Sequence, residues 1–574
     1  MYEELKTVWS EFTGPGGPFE VETVEVGGLS LRAYKAAPPS LREIWLGSAA
    51  HGDKDYLVYD QERWTFTRAH DEVGAVAAWL TENGVGSGDH VAIAMRNYPE
   101  WMLAYWATVS IGATVVGMNA WWLTDEMAYA VEDSKPKVMI VDAERMKQFL
   151  PVRDKAPDCL LVAVRMSGDL PEGAVPWSQL REHPGSLPEA TVDSDSDACI
   201  FYTSGTTGRP KGAQLTHRGC VNNIFSLAFS NMAFAAAAGR ANPAPPADTN
   251  ANAAAPAPAA VELSLLVVTP LFHVTANNCV AHSATLAGGK LVHMYKWEAG
   301  EALALIEAER ISNLSGVPVM ARELIAHPDF GKYDTSSLKS LGGGGAQLQP
   351  DLVKKIDDSV KTARPGTGYG MTETCGIITS ISGDFFVDKP ESAGPAMPVY
   401  ETRLVDADGN DVPMGEVGEL WVRGAQVIRG YLNRPEATAE SITDGWLHTG
   451  DIARMDADDF IFIVDRAKDM VIRGGENIYC AEVESVLFDH EDVAECAAFG
   501  VEDERLGEEV GVAVMLRKDS QLTGEGLRAH CEGRLARHKT PRYLWLGFES
   551  LPKNASGKFL KRQLRDELDP KDAV

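Results

Sequence analysis

The chain contains no CxxC pair and no His/Cys spacing of a zinc site, although 574 residues carry 8 cysteines. That excludes a zinc ribbon and a disulfide-stapled scaffold, and it reads Cys159, Cys199, Cys220, Cys279, Cys375, Cys480, Cys496 and Cys531 as reduced, mostly buried small side chains. Positive charge is also scarce. Against 82 Asp and Glu there are 53 Lys and Arg, for a net charge of -29. Such a surface repels phosphate, so no nucleic-acid partner is expected, and a polyanionic ligand would need a locally basic pocket. Met1–Lys6 has no basic stretch leading into an apolar one, so no secretory signal is expected and the cytoplasm is the expected compartment. Two long uncharged runs exist, but neither is an uninterrupted apolar span. Trp101 to Thr124 divides at Gly112 into a buried helix and a short β-branched strand, and Leu263 to Gly289 is broken by Pro270, His273, Asn277, Asn278 and His282. No transmembrane span is expected.

What is present is ordinary for a globular protein, with 45% hydrophobic and 24% charged residues. The length predicts two to four units at about 150 residues each. From Glu72 the pattern alternates: helix over Val73–Asn83, strand over Val91–Met95, helix from Glu100, strand over Thr114–Gly117, strand over Lys137–Asp142. This alternation predicts parallel α/β layers. Later the period shortens. Arg403–Val405, a turn at Asp408-Gly409, Glu419–Arg423 and Phe460–Val464 predict antiparallel strands with few helices. Beyond Arg466, strands over Ala494–Gly500, Gly511–Leu516 and Tyr543–Phe548 and a helix over Leu527–Leu535 predict a separate α+β unit of about a hundred residues. Residues 233–260 hold 15 Ala and five Pro, which predicts a flexible surface insertion.

The sharpest local signal runs from Ile200 to Gly212: an apolar strand, then Thr203-Ser204-Gly205-Thr206-Thr207-Gly208-Arg209-Pro210-Lys211. Glycines let the backbone present N–H groups closely, hydroxyls add donors, and Arg209 and Lys211 add charge, which is what a nucleoside triphosphate requires. It is not a Walker A loop, because Lys211 follows Pro210 and precedes Gly212.

This loop resembles the phosphate loop of the adenylate-forming superfamily: acyl-CoA synthetases, aryl-CoA ligases, firefly-type luciferases and peptide-synthetase adenylation domains. Further segments agree in order and spacing: Thr269–His273, Gly342–Leu348, Gly368-Tyr369-Gly370-Met371-Thr372-Glu373-Thr374, Gly418–Tyr431, Trp446–Asp451, Asp465–Asn477 and Pro552–Lys558. The resemblance covers most of the chain. It implies an α/β fold in which a large N-terminal domain of layered α/β subdomains plus a β-rich subdomain (1–465) is followed by a small mobile α+β C-terminal domain (466–574). It implies activation of a carboxylate by ATP to an acyl-adenylate with release of pyrophosphate, then displacement of AMP by the thiol of coenzyme A.

Carried over by position, Thr203, Ser204, Gly205, Thr206, Thr207, Gly208 and Lys211 would hold the β- and γ-phosphates. Tyr369 would lie against adenine, Thr372 would bond the α-phosphate, and Glu373 would hold Mg2+. Asp451 and Arg466 would meet the ribose, Lys558 would act at the developing charge, and His273 would stand between the acid and the thiol channel. Lys468 matches the hinge about which the C-terminal domain turns, bringing Gly474 and Gly475 toward pantetheine. Thr367 stands where many relatives carry Gln. The expected substrate is a medium- or long-chain fatty acid, with an aromatic acid of the coumarate type as the alternative. Val274–Cys279 has no acid to pair with an amino-acid ammonium, which argues against amino-acid activation. An inactive nucleotide-binding scaffold is opposed by the presence of every expected functional residue. A homodimer is the default oligomer.

Overall fold

The computed structural model describes residues 1–203, 209–242, 262–474, 476–554 and 557–574. Among these the chain builds two eight-stranded sheets, a six-stranded sheet, a five-stranded sheet and one isolated hairpin. The first large sheet grows from the alternation seen in the sequence. Its strands His90–Ala94, Thr114–Gly117, Val138–Asp142 and Leu160–Val164 run parallel. The helix between the first two, Pro99–Ser110, starts on a proline whose missing N–H costs nothing there, and all its residues are buried. The uncharged run from Trp101 is therefore a core helix and strand, with Trp106 stacked on Trp45 at 5.3 Å between ring centroids.

The second large sheet orders its strands as Gly376–Ser382, Arg364–Met371, Ser340–Gly344, Asn313–Gly316, Ser264–Val267, Lys290–His293, Asp55–Tyr59 and Glu62–Thr65. All its inner pairings are parallel, and only the two edge pairs are antiparallel. The second uncharged run becomes the strand Ser264–Val267, a π-helical turn Thr275–Ala281 and the helix His282–Ala287.

The helix His217–Ala241 lies between the layers, its first turn capped by the Thr216 hydroxyl accepting from Gly219 N at 3.0 Å. By length and composition it alone among the described helices could cross a bilayer, and 61% of its most apolar window is buried inside the fold. The helix also corrects the expected flexible insertion. Ala233–Ala241 continues it for more than two turns, and Ala233, Phe234 and Ala237 pack into the core. Alanine is the strongest helix former, so the stretch ends where proline first appears at 243 and not where alanine first accumulates. Positions 243–260 of that insertion lie outside the described residues.

The shortened period after residue 400 is a six-stranded antiparallel sheet, including Tyr400–Val405, Gly418–Gly424, Trp446–Met455 and Phe460–Arg466. The C-terminal unit is an α+β layer built on the long hairpin Val493–Asp503 and Gly507–Leu516. Tyr543–Trp545 runs parallel to the second strand. The helix expected over Leu527–Leu535 runs instead over Gly524–Cys531, starting at the Thr523 cap and ending where Glu532 turns extended.

Candidate active site

Parallel strands point their carboxyl ends to one side of a sheet, and ligands collect there. Here the ends of both large sheets, the six-stranded sheet and the C-terminal loop surround a cavity of about 660 Å3. Of the residues expected to be functional, Thr203, Lys211, His273, Thr372, Glu373, Arg466, Lys468 and Lys558 line it. Tyr369 and Asp451 stand directly behind it, hydrogen-bonded to each other.

The two strands that flank the phosphate loop pair antiparallel. Asp197–Thr203 pairs with Lys211–Thr216, Thr203 opposite Lys211. Ser204, Gly205, Thr206, Thr207 and Gly208 lie outside the described residues. Lys211 Nζ sits 4.2 Å above the ring of Tyr431. Arg209 does not line the cavity; its guanidinium lies 5.1 Å from the ring of Tyr129.

At the opposite wall, Tyr369 donates its phenol O–H to Asp451 Oδ2 at 2.6 Å. Arg466 Nε stands 3.2 Å from Asp451 Oδ1, as their antiparallel pairing requires. Burial and the Asp451 charge both raise the Tyr369 pKa far above its ordinary value, so the phenol stays a donor. Thr372-Glu373-Thr374 forms a single 3-10 turn at the end of Arg364–Met371. Glu373 Oε1 accepts from the Tyr431 hydroxyl at 2.8 Å, and its carbonyl accepts from Ile428 N at 3.0 Å. Among the described residues no three His, Cys, Asp or Glu side chains gather to cage an ion. One carboxylate in a phosphate pocket suits Mg2+, which keeps its waters and takes most other ligands from the nucleotide.

Lys558 enters from the C-terminal unit in a turn whose Gly557 has φ 78°. A Cβ there would also press on Val317 at 3.0 Å, so glycine serves both the turn and the closure against the large domain. The Lys558 N–H donates to Asn554 Oδ1 at 3.0 Å. Far from the exposed turn its sequence suggests, the side chain is drawn into the cavity. Burial, then Arg466, push its pKa down to about 8, against the pull of Asp451 and Glu373. Burial and Arg466 also lower Lys468. His273 falls to about 4 through burial and the Lys558 charge, so its ring is neutral at physiological pH. Lys211, Arg466, Lys468 and Lys558 thus gather against Glu373, Glu419 and Glu440 in the lining of one cavity of a strongly acidic protein, with Asp451 behind it. Gly474 is not among the lining residues; its N–H donates to Leu506 O at 2.7 Å, and Gly475 lies outside the described residues.

Beyond His273 the cavity extends along the second large sheet. Registers Ser315–Gly342–Gly366–Ser382 and Gly344–Gly368–Ser380 cross it as two rows. These rows leave a floor without side chains, edged by serine hydroxyls. At Gly342 a Cβ would come within 1.9 Å of Gly366 O, so the strands approach more closely than a side chain permits. The facing wall is the π turn and following helix, where Thr275, Cys279 and Ser283 present one face. Buried amides brace that turn. Asn223 Nδ2 donates to Asn278 O at 3.2 Å, and Asn278 Nδ2 donates to Cys375 O at 2.9 Å. Thr367, the departure from the family pattern, donates to Gly343 O at 2.8 Å and ties the floor strands together. Neither these braces nor Tyr431 was assigned a role from the sequence; only the Gly430-Tyr431 dipeptide hinted at the latter.

A family model described as AMP-binding enzyme matches residues 46–432, and one described as AMP-binding enzyme C-terminal domain matches 482–558. The chain is 35% identical over 503 residues to a feruloyl-CoA synthase of an Amycolatopsis species, covering 87% of this chain and 93% of that protein. It is 30% identical to 4-coumarate–CoA ligase 1 of Arabidopsis thaliana, covering 88% of each. A crystal structure of the anthranilate CoA ligase AuaEII with anthranoyl-AMP shares the fold, with a TM-score of 0.80 at 23% identity over 92% of this chain and 96% of that one.

Proposed function

This chain belongs to the AMP-binding enzyme family and is an AMP-forming acid–CoA ligase, and we propose that its acid is a flat, ring-bearing carboxylic acid rather than the fatty acid favoured from sequence. The observation that carries this reading is the glycine floor: a planar ring rests on a surface without side chains, whereas an alkyl chain gains nothing from flatness. The names of the feruloyl and coumarate relatives support the same reading.

Within this reading, Lys211 with Thr203 and the loop between them hold the β- and γ-phosphates. Tyr369 lies against adenine, and Asp451 and Arg466 receive the ribose. Thr372 bonds the α-phosphate, and Glu373 with the nucleotide holds Mg2+, which when bound neutralises phosphate charge and favours departure of pyrophosphate. The acid carboxylate attacks the α-phosphorus and pyrophosphate leaves. Lys558 donates to the oxygens where charge gathers, so its contribution is electrostatic. The neutral His273 ring then separates the acyl carbon from the thiol approach. The chain divides near Asp465, with 466–574 turning about Lys468 after adenylation so that Lys558 leaves and the segment at Gly474 enters. Asp465 accepts from Cys480 N, which ties the boundary to the start of the small unit.

Comparing kcat/KM for ferulate, 4-coumarate, octanoate and palmitate tests the acid. We expect the two hydroxycinnamates to exceed palmitate by at least about tenfold, the equivalent of 1.4 kcal/mol. Palmitate leading would restore the fatty-acid reading; no acid-dependent pyrophosphate release with any of the four would overturn both.

A further inference from the structure

Tyr431 has no part in the roles assigned above, yet it touches two of the groups that meet the triphosphate. We propose that Tyr431 is a positioning residue that sets the Glu373 carboxylate and the Lys211 ammonium at a fixed separation, so that the metal-binding and phosphate-binding groups form one rigid unit. The proposal rests on the assignment of Glu373 and Lys211 just made.

The geometry begins in the backbone. Gly430–Tyr431 is a two-residue strand that pairs antiparallel with Lys211–Thr216, Tyr431 opposite Ala213 and Gly430 opposite Gln214. Tyr431 is therefore the diagonal neighbour of Lys211, within reach of a long side chain. The Tyr431 N–H donates to Thr438 Oγ1 at 2.9 Å, its carbonyl accepts from Arg434 N at 3.1 Å, and the next residue, Leu432, donates to Gly212 O at 2.8 Å. Any side chain at Gly430 would meet Thr438 at 2.8 Å. The ring is thus anchored on both sides of its own Cα, and 7% of the residue is exposed.

From this platform the two contacts differ in kind. The phenol O–H donates to Glu373 Oε1 at 2.8 Å, which ties one carboxylate oxygen and leaves the other for a cation. Burial and the carboxylate both raise the phenol pKa, so this donor persists across the physiological range. The ring face holds Lys211 Nζ at 4.2 Å, and among the described residues no carboxylate lies within ion-pair distance of that ammonium. A carboxylate partner would neutralise Lys211 and occupy its donors. A π face orients the ammonium and leaves its charge and its N–H groups for phosphate.

Tyr431→Phe keeps the ring and removes the donor; Tyr431→Leu removes both. The probes are Mn2+, followed by its paramagnetic resonance in the presence of ATP, and ATP alone in a chelator, followed by calorimetry. For Tyr431→Phe we expect Mn2+ affinity to fall about tenfold, as for loss of a hydrogen bond to a charged group, with chelator-measured ATP affinity within about twofold of the parent. Tyr431→Leu should add a loss of about threefold to fivefold in that ATP affinity. The KM for the acid should stay constant in both. On a Glu373→Gln background, Tyr431→Phe should cost nothing further. Parental Mn2+ affinity in Tyr431→Phe, or an undiminished loss on the Glu373→Gln background, overturns the role of Tyr431. Equal decline of Mn2+, ATP and acid affinities with a lower Tm overturns it too, because that is loss of structure. Unchanged Mn2+ affinity in Glu373→Gln alone overturns the metal assignment, and this inference with it.

Discussion

Replacing Lys558 with alanine is expected to lower adenylate formation roughly 100- to 1,000-fold, the range for loss of one preorganised donor at developing charge. Thioester formation from CoA and supplied acyl-AMP should keep most of its rate. The asymmetry follows from where the residue sits. Its charge is felt alongside those of Arg466, Asp451 and Glu373, the groups assigned to nucleotide and metal, and in the proposed scheme the small unit turns before the thiol step. Pyrophosphate exchange measures the first half-reaction and thioester absorbance the second. Equal losses in both would contradict a lysine that acts only before the turn. Stability should not fall, because burial is the largest influence on this group and it disfavours the charged form.

The same displacement predicts a pH profile. Lys558 must be protonated to donate, and its pKa in the free protein is lowered to about 8. Adenylation kcat/KM, which reports the free enzyme, should therefore decline as pH rises through about 8. The limb in kcat should lie higher, since bound triphosphate adds negative charge that holds the proton. In Lys558→Arg the guanidinium does not deprotonate, so whatever activity survives should lose that limb. Persistence of the limb would assign it to another group.

How far the sequence could be read depends on the range of the interactions involved. The Pro99–Ser110 helix and its flanking parallel strands follow from local apolar periodicity, and the strands after residue 400 from turn residues such as Asp408-Gly409. Motif positions located much of the cavity wall, because Thr203, Thr269–His273 and Thr372–Thr374 follow or end strands whose carboxyl ends the sheets gather. What stayed illegible was pairing across distance. Tyr369 and Asp451 are 82 residues apart, Tyr431 and Glu373 58, and no local pattern announces either hydrogen bond. The two-residue strand that carries Tyr431 is too short for any periodicity to reveal. The burial of Lys558 was also hidden, because Ser556-Gly557-Lys558 reads as an exposed turn until Val317 is seen against it. The feature behind the proposed acid class was hidden for a related reason: Gly342, Gly366, Ser315 and Ser382 form a floor only once four strands stand in register.

That floor carries the second large effect. Gly366 lies at the centre of a row, in a backbone conformation open to any residue, and a Cβ built on it would meet Ser382 Cβ at 3.4 Å and Ser340 Oγ at 3.9 Å, ordinary contacts. Gly342 next to it has no such room. Gly366→Leu should consequently fold with a Tm near the parent's while placing an isobutyl group on the surface where the ring would lie. Forcing a planar acid above it costs what overpacking costs, up to about 3 kcal/mol, so kcat/KM for ferulate should fall about 100-fold. ATP affinity should change less than ferulate turnover, because the nucleotide contacts proposed above are made by other side chains. Octanoate, whose chain can bend past the new side chain, should lose less than ferulate, and Gly366→Ala should show the same order in smaller steps. If ferulate and octanoate fell together, the floor would be a structural seam; if ferulate kept its rate, the ring would lie elsewhere in the cavity.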